Sequence, residues 1–90
     1  LTHPGEEIKE TLAAGDLFRM RVEIPAHLVG KPVSSLNLEG KILVAGVDRG
    51  GKGFVPVGSS TFQEGDYAAV IVQKDALETL EELLQPIGEH

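Results

Sequence analysis

The chain contains no cysteine and no tryptophan, and only one tyrosine, one methionine and three phenylalanines among 90 residues. Without cysteine there is no disulfide, no thiolate metal ligand and no cysteine nucleophile. A small domain that dispenses with disulfides suits a reducing cytoplasm better than a secreted scaffold. No apolar run approaches the roughly 20 residues that a membrane-spanning helix requires, and the start lacks the basic-then-apolar layout of a signal peptide. The three histidines, His3, His27 and His90, are scattered and give a metal site no support. Basic residues are in deficit too, eight Lys and Arg against fourteen Asp and Glu, a net charge of −6. That balance runs against a partner role with nucleic acid, because domains that coat it carry a basic surplus to displace counterions from phosphates.

What is present suffices for one small domain with a single core: 41% hydrophobic and 24% charged residues. The charge is unevenly laid out. Residues 17–52 hold Arg19, Arg21, Lys31, Lys41, Arg49 and Lys52 against Glu23, Glu39 and Asp48, a local net of +3, whereas residues 53–90 hold one lysine and seven acids. The middle third is either a solvated charged surface or a place where a small anion is held.

Residues 1–16, "LTHPGEEIKETLAAGD", open with a Pro-Gly breaker and read as a linker with one or two helical turns closed by Gly15. The start at Leu1 fits a piece cut from a longer chain or a processed end. "LFRMRVEIP" alternates strictly, with Phe18, Met20, Val22 and Ile24 on one face and Arg19, Arg21 and Glu23 on the other, so a half-buried strand is predicted, stopped by Pro25. "HLVGKPVSSLNLEG" is too broken for a long helix and is predicted as one helical turn that packs Leu36 and Leu38. "KILVAGVDR" is a nearly continuous apolar run, predicted as a central strand. "FVPV" is predicted as a short strand, placed at an edge by Pro56, which cannot donate a ladder hydrogen bond. "YAAVIVQ" is predicted as a strand buried on both faces. The C-terminal stretch has Asp75 and Glu78 in capping-box spacing and an apolar stripe of Leu77, Leu80, Leu83, Leu84 and Ile87. Pro86 and Gly88 end it, so an amphipathic helix of about three turns is expected. The order strand, turn, strand, strand, strand, helix implies an α+β fold. It has two layers, with a mainly antiparallel four-stranded sheet, a short helical turn after the first strand and a C-terminal amphipathic helix.

"AGVDRGGKGFVPVG" approaches a phosphate-binding P-loop, which needs G-x-x-x-x-G-K followed by Ser or Thr and then a helix. Here Gly53 stands where the hydroxyl belongs, and "GFVPVG" cannot continue as a helix. "DRGGKG" is predicted instead as a hairpin turn whose glycines supply positive φ. Ser59, Ser60, Thr61 and His27 show no nucleophile–base spacing, and Glu64 and Asp66 flank Gly65 as turn residues do. No catalytic set emerges, and an enzyme is not expected. Arg49 stands out in degree: it ends the buried strand beside a glycine turn and Lys52, where a guanidinium can clamp a phosphate or carboxylate in bidentate fashion.

"HLVGKPVSSLNL" followed by "KILVAGVDRGGKGFVPVGSSTFQEGDYAAVIVQKDALETLEELL" resembles the C-terminal regulatory (RCK_C) domain of the TrkA family, found in potassium uptake proteins, channels and some cation antiporters. The ordered set that carries the likeness is Gly30-Lys31, Leu36, Leu38, Arg49, Pro56, Gly65-Asp66 and the strand Tyr67 to Val72. It covers residues 17–85 within a domain assigned to 17–88. The resemblance implies a non-enzymatic sensor that forms a homodimer and binds a small effector, cyclic di-AMP or another nucleotide, at the dimer interface. In that picture Leu43 and Val44 contact the base, Arg49 holds phosphate, and Lys52 lies beside it. It also implies a membrane potassium transporter or channel as partner, a cytoplasmic position at the inner face of the membrane through that partner, and an N-terminal nucleotide-binding domain that this chain lacks. The alternative is a purely structural dimerisation module of the same fold that binds no ligand.

Overall fold

The computed structural model describes residues 6–85. Five strands, β1 (Glu6–Leu12), β2 (Leu17–Glu23), β3 (Ile42–Arg49), β4 (Lys52–Phe54) and β5 (Tyr67–Gln73), form one sheet in the order β1-β2-β5-β3-β4. Every neighbouring pair is antiparallel. Among the described residues a single α-helix, α1 (Leu77–Leu84), and short 3-10 turns at Ala26–Leu28, Val33–Leu36 and Lys74–Ala76 supply the second layer. The architecture is the α+β, two-layer, antiparallel arrangement expected, with one strand more.

The extra strand is β1. Residues 6–12, expected as linker, instead pair with β2 from Glu6↔Val22 to Leu12↔Leu17. The turn between them holds Ala14 at φ 60 and Gly15 at φ 89. A glycine at positive φ closes a helix and a hairpin equally well, which is why the sequence alone suggested the wrong one.

One face of the sheet makes the core. Met20, Val22, Ile42, Val44, Ala68, Val70 and Val72 are buried on it, as the period of two demands. The alternate residues of β5, from Tyr67 to Gln73, are half-buried rather than fully enclosed as its composition suggested, because no second layer covers that side. In β3 the register shifts between Val44 and Gly46, leaving Ala45 as the extra residue of a bulge. Its effect is to bring both Val44 and Val47 onto the core face.

β2 and β3 run parallel with β5 between them, so residues 24–41 must cross the sheet. The crossing lies on the core face and is anchored by Leu28, Val33 and Leu36. It is tied to the loop before β5 by backbone bonds from Gly30 to Phe62 (2.8 Å), Phe62 to Lys31 (2.9 Å) and Val33 to Ser60 (2.9 Å), around a Phe62 side chain that is buried.

Two boundaries differ from expectation. β4 ends at Phe54, so Pro56 lies beyond the edge strand instead of inside it. α1 is eight residues, about two turns, because Lys74–Ala76 forms a 3-10 turn and Ala76 is the N-cap. Asp75 does not cap it: its carboxylate accepts a hydrogen bond from Lys41 Nζ at 2.9 Å, an attachment to a residue far off in sequence that local spacing does not reveal. Leu80 is buried, and Leu77, Leu83 and Leu84 pack against the core. Pro86, Ile87 and Gly88 lie outside the described residues.

Candidate functional site

The predicted hairpin forms as read. Asp48 pairs with Gly53 and Arg49 with Lys52, and the two-residue turn between them has Gly50 at φ 60 and Gly51 at φ 85, the double positive φ that L-residues avoid. The turn fixes Arg49 at the end of β3, opposite the loop that enters β5.

There the guanidinium meets Asp66. Arg49 Nε donates to Asp66 Oδ1 and Nη2 to Oδ2, both at 2.9 Å, and Nη2 also donates to the Thr61 carbonyl at 2.9 Å. The Gln63 backbone N–H donates to the same Oδ2 at 2.9 Å. Asp66 is 0% exposed, whereas about a third of Arg49 reaches solvent and its guanidinium lies 5.0 Å from the Phe54 ring centre. Asp66 is therefore a buried charge with a bidentate partner and a backbone donor, the conditions under which a buried carboxylate is tolerated.

Burial alone would raise the Asp66 pKa, but the hydrogen bonds from Arg49 and the Gln63 N–H and the nearby positive charge outweigh it and hold the carboxyl below its ordinary range. The Arg49 pKa is raised, first by its hydrogen bond to Asp66. A carboxyl depressed on folding contributes stability above its unfolded pKa of about 4, and this is lost as pH falls through the folded value. Urea midpoints measured from pH 7 to pH 2 should hold down to about pH 4 and then fall, and Asp66→Asn should flatten that acid limb.

Of the other predicted site residues, Lys52 is the cross-strand neighbour of Arg49, whereas Leu43 and Val44 lie further back along β3 on opposite faces of the sheet. Leu43 sits on the uncovered face of the sheet at 53% exposure, while Val44 is 5% exposed with its side chain in the core. The Val44 N–H is taken by Asn37 Oδ1 at 2.8 Å. Lys52 is exposed at the hairpin and has no ion pair among the described residues. Beyond it an apolar edge emerges: Phe54, Val55 at 76% exposure and Val57 at 67%. Large exposed apolar groups gathered along one margin mark an interaction surface.

Asp66 was read in sequence as a turn residue, and Gly65 does turn, at φ 89. What local reading could not supply was its partner, 17 residues upstream. The other loop residues have local duties: Ser60 Oγ accepts the Val57 N–H at 2.9 Å, and the His27 ring bonds the Leu83 carbonyl at 3.1 Å. Among the described residues no group of His, Asp and Glu is arranged to hold a metal, and no helix is long and apolar enough to cross a membrane.

Comparison with known proteins bears on this geometry. The family model of the TrkA-C domain matches residues 17–85, from the first residue of β2 to just past α1. Among solved structures, one described as "Structure of RCK domain with cda" is similar, with a TM-score of 0.59 and 18% identity, covering 78% of this chain and 99% of that one. No curated protein matches the chain significantly.

Proposed function

Because the chain belongs to the TrkA-C domain family, which supplies regulatory domains to potassium transport systems, we propose that it acts as a non-enzymatic, ligand-responsive pairing module. In this reading two copies associate through the exposed apolar residues Leu43, Phe54, Val55 and Val57, and a nucleotide effector such as cyclic di-AMP lies between them. The domain match carries the reading. It is supported by the exposed apolar margin and by the solved RCK domain of like fold described with cda. The partner is a membrane potassium transporter or channel, approached from the cytoplasm, with an N-terminal nucleotide-binding domain working beside this one. An effector shared by two protomers shifts a gate only by its different affinity for the two arrangements of the pair.

On this reading the residues divide the work. The bonds of Arg49 use Nε and Nη2, so Nη1 lies outside the Asp66 network. Arg49 would serve an effector phosphate as a rigidly held cation, and Lys52 as a mobile one. The Val44 side chain is spent in the core, which leaves Leu43 as the contact for a base.

Calorimetric titration with cyclic di-AMP tests the reading. Binding at about one ligand per two chains is expected, and Lys52→Ala should weaken it several-fold with no change in thermal stability. Arg49→Ala is a poor probe because it strands Asp66. An intact dimer that gives no heat favours the scaffold alternative, and a monomer at high concentration overturns the pairing.

A further inference from the structure

The face of the sheet opposite the core holds a groove of about 430 Å³ that crosses β2, β5, β3 and β4. Gly46, Gly53 and Ala69 contribute no more than a methyl group to its lining, whereas Arg19, Arg21 and Tyr67 stand around it. Arg21 lies 3.9 Å from the centre of the Tyr67 ring and 3.2 Å from Asp48, and Arg19 pairs with Glu10 at 2.6 Å. Both arginines remain substantially exposed.

The two glycines are the telling feature. Unlike Gly50 and Gly51, neither Gly46 nor Gly53 has a positive φ. A Cβ at Gly46 would meet the Phe54 carbonyl oxygen at 3.6 Å and the Ala69 Cβ at 3.9 Å, and one at Gly53 would meet the Val47 carbonyl at 3.9 Å, all ordinary contacts. Backbone and packing would therefore accept a Cβ at either place. Glycine inside a strand weakens it and often marks close approach by a ligand or another backbone. Here the glycines keep the floor of a groove bare beside Arg19 and the stacked pair of Arg21 and Tyr67.

We propose that this groove binds a planar aromatic anion, its ring laid on the Gly46–Gly53–Ala69 floor and its acidic group taken by Arg19 and Arg21. The volume falls in the range of small-molecule sites, about 300–1,000 Å³, and suits one or two fused rings. Exposed ion pairs are weak and exchange readily. Glu10 and Asp48 therefore position the arginines and yield to the ligand's acid group. The proposal does not rest on pairing or on an effector at the β3–β4 margin, although Phe54 lines both places.

Titration of the ¹⁵N-labelled chain with 1-naphthoate, followed by amide shifts, tests it. Saturable shifts centred on Gly46, Gly53 and Ala69 are expected, with weaker binding at high salt. Gly53→Val and Gly46→Val should each weaken binding at least about tenfold, because a branched side chain would fill the floor on which the ring lies. Arg19→Gln, an exposed change that should leave the fold intact, should weaken 1-naphthoate but not neutral 2-naphthol. Shifts that are absent or lie elsewhere overturn the proposal, as does affinity unchanged in both Gly53→Val and Arg19→Gln. Equal binding of the non-planar decalin-2-carboxylate overturns it as well.

Discussion

Asp66→Ala is expected to lower the unfolding free energy by about 2–4 kcal/mol, seen as a fall in the urea midpoint with an unchanged slope. Asp66 is fully buried and joins three segments: its carboxylate binds the Arg49 end of β3 and the Gln63 turn, and its backbone carbonyl accepts the Ile24 N–H at 3.0 Å. Alanine keeps that last backbone bond but removes both bonds to Arg49 and the acceptor for Gln63, leaving a small void. A domain of this size holds in all roughly 5–10 kcal/mol, so the variant should be marginal. Asp66→Asn retains the volume and one acceptor and should lose about half as much. Arg49→Ala should be worse than either, because it leaves a buried carboxylate with no cation, whereas an orphaned Arg49 can turn toward water. Lysine at position 49 cannot span both carboxylate oxygens and should rescue little. Wild-type stability in Asp66→Ala would mean that this pair does not brace the fold.

The second large effect concerns association. Leu43→Asp is expected to weaken self-association by about 30- to 150-fold, the equivalent of about 2–3 kcal/mol for losing a buried leucine and desolvating a charge. Sedimentation equilibrium should then show monomer at concentrations where the parent chain, on the proposed reading, is expected to pair. Leu43 is 53% exposed on the face away from the core, so the thermal midpoint of the monomer should stay close to that of the parent. A variant that pairs as tightly as the parent would move the interface away from β3. The neighbouring strand edge is a poor alternative, because Leu38 and Ile42 exchange backbone bonds at 2.8 Å and Asn37 covers the Val44 N–H. Side chains, not edge-to-edge strand pairing, should therefore make the contact.

The three longer strands of the expected fold were legible because each carries its own pattern. β2 alternates, β3 and β5 are rich in β-branched residues, and the double glycine of the hairpin declares its φ angles. The family likeness was legible for a different reason: an ordered set of glycines, prolines and charges persists over residues 17–85. β1 was missed because "EEIKETL" has neither a clean alternation nor a strong strand composition. It becomes a strand by pairing with β2. The bulge at Ala45 was equally hidden, since a one-residue slip shows only against the partner strand.

The sequence by itself determined the α+β class, the turn that follows Arg49 and the apolar faces of β2 and α1, because these depend on residues a few positions apart. Only the tertiary structure decided what Arg49 and Val44 do. Arg49 is held by a carboxylate 17 residues away, and the bulge sets Val44 and Val47 together on the core side. The same folding brings Gly46, Gly53 and Ala69 from three strands to the floor of one groove. Charge pairing and burial act through space, and spacing along the chain carries no record of which distant groups will meet.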